Sequence, residues 1–502
     1  MLAFALSPFL VLGIGALLLM LAEAFASPSA EKRGHEPDES ANGIALGTTV
    51  VFLTAGAFAG GLWMYGIDNI DGLSVLAPWL LIDRFTVFFE MLLCLGGALA
   101  ALLAGGYLPE HNLNRGEFYA LLIFSTIGAM MLAAAGDLLT IFLGLETMSL
   151  GAYAMTAFRR TSPRSTEAGL KYFLLGSFAA AVLLYGFALL YGVTGHTDLA
   201  GIGGSLAQGS ARSPLAILAL ALVLVGLVFK VSAVPFHMWT PDAYEGAPTP
   251  ATTYMAVAVK SAAFAMMLRV LLTSFGSGGW ISWASGWPPV IAWISVVTMT
   301  VANLIAGRQD SVKRMLAYSS IAHAGYLLIG VVACSRSPQA TASILFYLVA
   351  YTVSTAGAFG ALILCGHRGA EAVSYEDLSG IGRRHPAAAL PFTLFLLSLA
   401  GIPPTAGFFG KWFIFRAAID GGFYLLAVIA LLNSVVGVYY YLRVLVFMYM
   451  REPAAGAAVA RPMRSGYVAT ALLISAILVV ALGVTPSSTL DVAQAAAAMP
   501  GG

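Results

Sequence analysis

Phe229-Lys230-Val231-Ser232-Ala233-Val234-Pro235-Phe236-His237-Met238-Trp239-Thr240-Pro241 decides how this chain is read. Lys230 closes a run of seventeen uncharged residues, and a proline follows five positions later. Proline removes a backbone donor and clashes with the preceding turn, so a helix that enters here is interrupted. A second stretch behaves alike. Gly401-Ile402-Pro403-Pro404, with Gly407, Gly410 and Lys411 behind it, breaks another long apolar segment. Paired interruptions at membrane depth suggest inverted repeats with a site near the midplane. The plainer alternative is a proline kink that only shapes packing.

Composition fits that reading. Of 502 residues, 59% are hydrophobic and only 10% charged, where a soluble domain carries about 25% charged residues. Only helices or closed barrels satisfy their backbone in lipid, and barrel strands would read as short alternating segments. The apolar runs here are long and continuous, which predicts an all-α polytopic membrane protein. The net charge of +1 offers no basic field for nucleic acid. Cys94, Cys334 and Cys365 form no C-x-x-C pair, so the sequence argues against an iron–sulfur cluster, a zinc ribbon or a disulfide framework in this chain. It shows neither the glycine-rich dinucleotide loop nor the phosphate loop.

Fourteen spans are expected, near 2–24, 43–65, 85–107, 116–135, 137–157, 167–193, 214–234, 249–273, 286–307, 314–333, 341–366, 388–418, 423–448 and 465–485. Ala24-Phe25-Ala26 imitates a signal-peptidase site, but no cation precedes it and the apolar stretch exceeds a signal core, so the first span is read as an anchor. The breaks fall in spans seven and twelve. That divides the chain into N-terminal helices 1–3 (1–115), a first repeat of helices 4–8 (116–273), a second, inverted repeat of helices 9–13 (286–448) and a last helix (465–485). Sixteen cations lie on one side, from Lys32 and Arg33 to Arg461 and Arg464, against Arg84, Arg212 and Arg336 on the other. The positive-inside rule then places both termini in the periplasm. The stretch 28–42 reads as a solvated loop.

Ionisable groups inside spans cost about 2.5–3.5 kcal/mol each on insertion scales and are functional candidates by default. Glu146 lies near mid-bilayer in the fifth span, Lys230 before the first break, Lys260 in the middle of the eighth span and Lys411 after the second break. A snorkelling accident would explain one lysine but not three lysines with a glutamate. Burial lowers a lysine's proton affinity and a nearby carboxylate restores it, so the set can relay protons. It contains no redox centre and no nucleophile paired with a base. His323 and His237 are candidate shuttles, and His237 serves equally as a helix cap. Glu90 and Asp137 read as solvated or capping residues near span ends. Arg269 and Arg416 read as snorkelling cations.

The chain resembles subunit N among the antiporter-like membrane subunits of proton-pumping NADH–quinone oxidoreductase, bacterial respiratory complex I. The likeness covers essentially all fourteen spans. It is carried by Phe229–Pro248, by Lys313-Arg314-Met315-Leu316-Ala317-Tyr318-Ser319-Ser320-Ile321-Ala322-His323-Ala324-Gly325-Tyr326, and by Gly401–Lys411. The Phe229–Pro248 passage is shared by all the antiporter-like subunits, whereas the Lys313–Tyr326 passage resembles subunit N in particular. The resemblance implies a Glu146–Lys230 charge pair, Lys260 as central relay and Lys411 as terminal lysine. It implies no cofactor in this chain, with NAD, FMN, iron–sulfur clusters and quinone on partner subunits. The partners would be the other membrane-arm and peripheral-arm subunits and the lipid bilayer, in the bacterial inner membrane.

The function expected is therefore proton translocation through a Glu/Lys relay, driven by electron transfer from NADH to quinone elsewhere. Two rivals stand beside it. One is a subunit of a multisubunit cation/proton antiporter; the other is a structural membrane-arm component whose charges only hold helices together.

Overall fold

Hydrocarbon offers no partner to a backbone N–H or C=O, so each crossing has to satisfy its own ladder. The computed structural model describes residues 2–26, 39–70, 72–208, 213–366, 369–453, 460 and 462–498, and among them it forms helices and no β-strand. Twelve helices are long and apolar enough to cross a membrane: α1 (Ser7–Phe25), α2 (Gly43–Tyr65), α3 (Arg84–Glu110), α4 (Glu117–Ala134), α5 (Leu138–Thr156), α6 (Pro163–Thr194), α8 (Thr249–Ser274), α9 (Pro288–Ala306), α10 (Val312–Ala333), α11 (Ala340–Leu364), α13 (Tyr424–Met450) and α14 (Gly466–Val484). The two remaining spans are short apolar helices, α7 (Pro214–Lys230) and α12 (Pro386–Ala400). Each is continued by a second piece, Trp239–Gly246 after α7 and Ala406–Asp420 after α12. The fourteen expected spans are therefore present, the seventh and twelfth in two pieces.

Helix starts follow ordinary capping chemistry. Asp83, Asp137, Ser162, Ser213, Ser311 and Ser465 each accept a backbone N–H of the helix they open. Asp137 is thus a capping residue, as expected. Arg416 lies exposed, 3.7 Å from Asp420. Two readings are corrected. Glu90 is not near a solvated end: α3 already runs from its Asp83 cap, and Glu90 is fully buried two turns inside. Arg269 does not snorkel; it is buried, and its guanidinium reaches both oxygens of Asp83 at 2.6 and 2.7 Å. The loop 28–42 falls largely outside the described residues, as do Lys32, Arg33, Arg212, Arg368 and Arg461 of the charge count.

Packing recurs at an interval of five spans. Helix α4 packs on α5 as α9 packs on α10; α6 packs on α7 as α11 packs on α12; α4 meets α8 as α9 meets α13. Helices α3, α8, α10 and α11 are almost wholly enclosed, while α1, α6, α13 and α14 turn much of their surface outward. Of the four charged side chains of interest, Lys260 lies on an enclosed helix, whereas Glu146 sits on α5, Lys230 ends α7 and Lys411 lies in the piece that continues α12.

Candidate functional site

At the first break, α7 ends on Lys230, where a cation suits the partial negative charge of the helix end. Ser232 turns the chain with φ +65°, and Val234 N–H, freed from the ladder, donates to Thr298 Oγ1 of α9 at 3.0 Å. Lys230 Nζ donates to Ser149 Oγ of α5 at 2.7 Å and lies 5.8 and 5.9 Å from the rings of Tyr153 and Tyr172. Glu146 stands on the same face of α5 as Ser149 and is half-buried. Among the described residues no ion pair within 4 Å joins it to Lys230. The hydroxyl of Ser149 occupies the contact instead.

Lys260 is buried just beyond a π-helical turn, Met255–Val259, in α8. Its Nζ donates to the Ser320 carbonyl of α10 at 2.5 Å and to the Ser320 hydroxyl. Tyr351 of α11 donates to that same hydroxyl at 2.8 Å, and its ring lies 5.5 Å from Nζ.

The second break explains Lys411. Gly401 ends α12 with φ +86°, and a Cβ there would also sit 3.0 Å from Lys411 Cδ, so both the turn and the space call for glycine. Lys411 reaches back across the gap: Nζ donates to the unpaired Ala400 carbonyl at 2.9 Å and to Ser434 Oγ of α13 at 3.0 Å. Its ammonium lies 5.3 Å from the Tyr326 ring.

His323 fills the space between the two lysines. Its Nδ1 contacts Tyr347 OH at 2.6 Å and its Nε2 contacts Tyr441 OH at 3.1 Å, with Ser319 bonded to Tyr441 in turn. The His323 ring is 5.1 Å from Tyr351, which faces Lys260, and 5.8 Å from Tyr326, which faces Lys411. A cavity of about 10 Å³ opens beside it, lined by Tyr347, Tyr351, Ser354 and Ser398. That is room for a single water among polar groups. His237 is not part of this cluster: it lies half-buried in the first break, with Nδ1 unpartnered.

Three groups are not evident from the sequence. Tyr326, Tyr347, Tyr351 and Tyr441 resemble ordinary aromatic core until their hydroxyls are placed, although Ser319, His323 and Tyr326 share helical spacing. The pair of buried Arg269 with half-buried Asp83 joins residues far apart in sequence. So does the lock around Glu371, where Lys313 (2.9 Å), Thr249 (2.6 Å) and Tyr107 (2.5 Å) all donate to one carboxylate. Among the described residues no three His, Cys, Asp or Glu side chains gather to hold a metal ion.

Chemically, the arrangement is a row of buried amines, hydroxyls and one imidazole, each hydrogen-bonded, with no electrophile or redox group among them. The family described as NADH:quinone oxidoreductase/Mrp antiporter, TM, matches residues 135–437. NADH-quinone oxidoreductase subunit N 1 of Sorangium cellulosum is 68% identical over 494 residues, covering 97% of each chain. A chain of respiratory complex I from Thermus thermophilus with bound aureothin superposes with a TM-score of 0.76 at 32% identity, covering 96% of this chain and 98% of that one. A chain of the Mrp complex from Dietzia gives a TM-score of 0.85 at 23% identity, covering 99% and 97%, a likeness of fold alone.

Proposed function

The chain belongs to the NADH-quinone oxidoreductase subunit N family, a multi-pass membrane family, and from that premise we propose how its buried groups work. It acts as a proton-translocating membrane-arm subunit of NADH–quinone oxidoreductase, and the row from Lys230 through Lys260 and His323 to Lys411 is its proton path. The observation that carries this is the close succession of titratable and polar groups in the second half of that row. Lys260, Ser320, Tyr351, His323, Tyr326 and Lys411 follow one another by direct hydrogen bonds or ring contacts, with Tyr347 and Tyr441 holding the imidazole. A neutral imidazole with one hydroxyl on each nitrogen can accept a proton on one side and release it on the other.

Glu146 sets the charge state of Lys230 by its charge, without a direct ion pair. A nearby carboxylate favours the ammonium; when it is neutralised or drawn off, desolvation favours release of the proton toward Lys260. We read spans 4–8 and 9–13 as two inverted repeats, which the recurring helix pairs support, since an odd number of crossings reverses the second unit. Both termini then face the periplasm of the bacterial inner membrane. NAD, FMN, iron–sulfur clusters and quinone belong on partner subunits, which supply the driving reaction.

The antiporter reading shares the fold, but the family assignment at 68% identity favours the oxidoreductase. The test is NADH-driven proton translocation in inverted membrane vesicles with Lys411→Ala. Assembly with wild-type amounts of partner subunits and loss of translocation supports the relay. Wild-type translocation would leave these charges a purely structural role.

A further inference from the structure

Glu90 has no part in the row just described. It is fully buried in α3, and neither carboxyl oxygen has a hydrogen-bond partner. An ionised carboxylate in such surroundings carries a large desolvation cost with nothing to offset it, so the neutral acid is the form they accommodate. A fully unpartnered carboxyl inside a span is an expensive way to fill space.

Its depth follows from two contacts between the antiparallel helices α3 and α8. At one end Arg269 reaches Asp83 and, at 2.9 Å, Thr86 Oγ1. Farther along, a Cβ on Gly96 would meet Val257 at 3.3 Å and Ala258 at 3.6 Å. Between these, Glu90 falls about level with Phe264, one turn beyond Thr86 on the same face of α3. Along α8 that level separates Arg269 from Lys260, with roughly 6–8 Å of helix rise to each. The charged and titratable groups around this depth are Asp83 and Cys94 on α3 and Arg269 and Lys260 on α8.

We propose that Glu90 is a proton-carrying residue between Lys260 and the Asp83–Arg269 pair, a branch toward the Asp83 end of the first half. The proposal rests on the proton-translocating reading above. In the transfer, neutral Glu90 first gives its proton to ionised Asp83 or to water at that end and is left a carboxylate. The Lys260 ammonium then returns one proton to it, leaving a neutral amine and a neutral acid with net charge conserved. Arg269 cannot deprotonate, so it stays a fixed positive charge that favours whichever of the two carboxyls is ionised. Thr86, already bonded to Arg269, lies between them.

The test uses the whole complex in inverted vesicles, reading protons moved per NADH oxidised and normalising to assembled complex. Glu90→Gln keeps volume and neutrality but cannot carry a proton, and Glu90→Asp keeps the acid. Loss of part of the wild-type ratio in the Gln variant, recovered by Asp, supports the proposal. A wild-type ratio in an assembled Gln variant overturns it while leaving the wider reading intact; a wild type that moves no protons sinks the wider reading. If the Gln variant fails to assemble, infrared spectroscopy of Glu90→Asp decides. Its protonated-carboxyl band should shift against wild type and exchange in D2O during NADH turnover, and a band that stays unexchanged overturns the proposal.

Discussion

Lys230 gives its hydrogen bond to the Ser149 hydroxyl at 2.7 Å and not to Glu146, which stands one turn earlier on the same face of α5. Ser149 gives its own proton to the Leu145 carbonyl, so in the proposed relay Glu146 would act on the ammonium by its charge, beside the aromatic walls of Tyr153 and Tyr172. A direct ion pair would fix both charges. A lysine held by a serine instead would stay responsive to a carboxylate that changes its charge state or its position.

Glu146→Gln should sharply lower proton translocation and coupled turnover, while Glu146→Asp keeps part of both. Ser149→Ala removes a hydrogen bond to a charged group, worth about 1.5–3 kcal/mol. It should fall between wild type and Glu146→Gln. The double variant should lose less than the sum of the singles if the hydroxyl transmits the carboxylate's effect. Strict additivity, read as protons moved per NADH, would mean that Ser149 and Glu146 act independently.

The spans and the two breaks are legible in the sequence because apolar length and proline chemistry are local. Lys230, Lys260 and Lys411 stand out for the same reason: a charge within an apolar run needs no tertiary information to be anomalous. Their partners do not. Ser149, Ser320 and Ala400 become ligands of lysines only when α5 meets α7, α10 meets α8, and Lys411 folds back over its own break. Glu90 reads wrongly as a span-end residue because it lies close to a span's start by count, and only the Asp83 cap and the surrounding helices reveal its enclosure.

Glu371 joins the chain after α11 to α3, α8 and α10. Burial alone would raise its carboxyl, but Lys313 and the donors Thr249 and Tyr107 hold it down at about 2. A value below the ordinary 4.5 means the lock contributes stability above that pH and loses it as the pH falls toward about 2. Glu371→Gln should flatten the acid limb of thermal stability for the solubilised complex between those limits. Lys313→Ala leaves the half-buried carboxylate with only Thr249 and Tyr107, and the lost charged hydrogen bond should cost about 1.5–3 kcal/mol. An unchanged acid limb in Glu371→Gln would show that the lock adds nothing to stability.

Orientation has an independent check. With fourteen crossings and cations concentrated in one set of loops, both termini should lie in the periplasm. A reporter that fluoresces only in the cytoplasm should stay dark when fused to the C-terminus and light up when inserted in the α3–α4 connection near Arg115. The reverse pattern would invert the topology, and with it the direction assigned to the relay.

Lys260 distinguishes a relay from a fixed charge. Its ammonium is held by Ser320, and Ser320 by Tyr351, so hydroxyls continue from the amine as far as Tyr351, whose ring lies 5.1 Å from that of His323. Arginine keeps the positive charge and donors for Ser320 but does not deprotonate. Alanine removes charge and donors together. If Lys260 only anchors α8 to α10, arginine should preserve translocation and alanine should lose it with assembly. If Lys260 passes protons, arginine should be as damaging as alanine to proton uptake per assembled complex, although it preserves assembly better. Ser320→Ala leaves the carbonyl contact and removes only the hydroxyl, so it should slow translocation without abolishing it. Normal pumping by Lys260→Arg would reduce Lys260 to an electrostatic fixture and end the relay at Lys230.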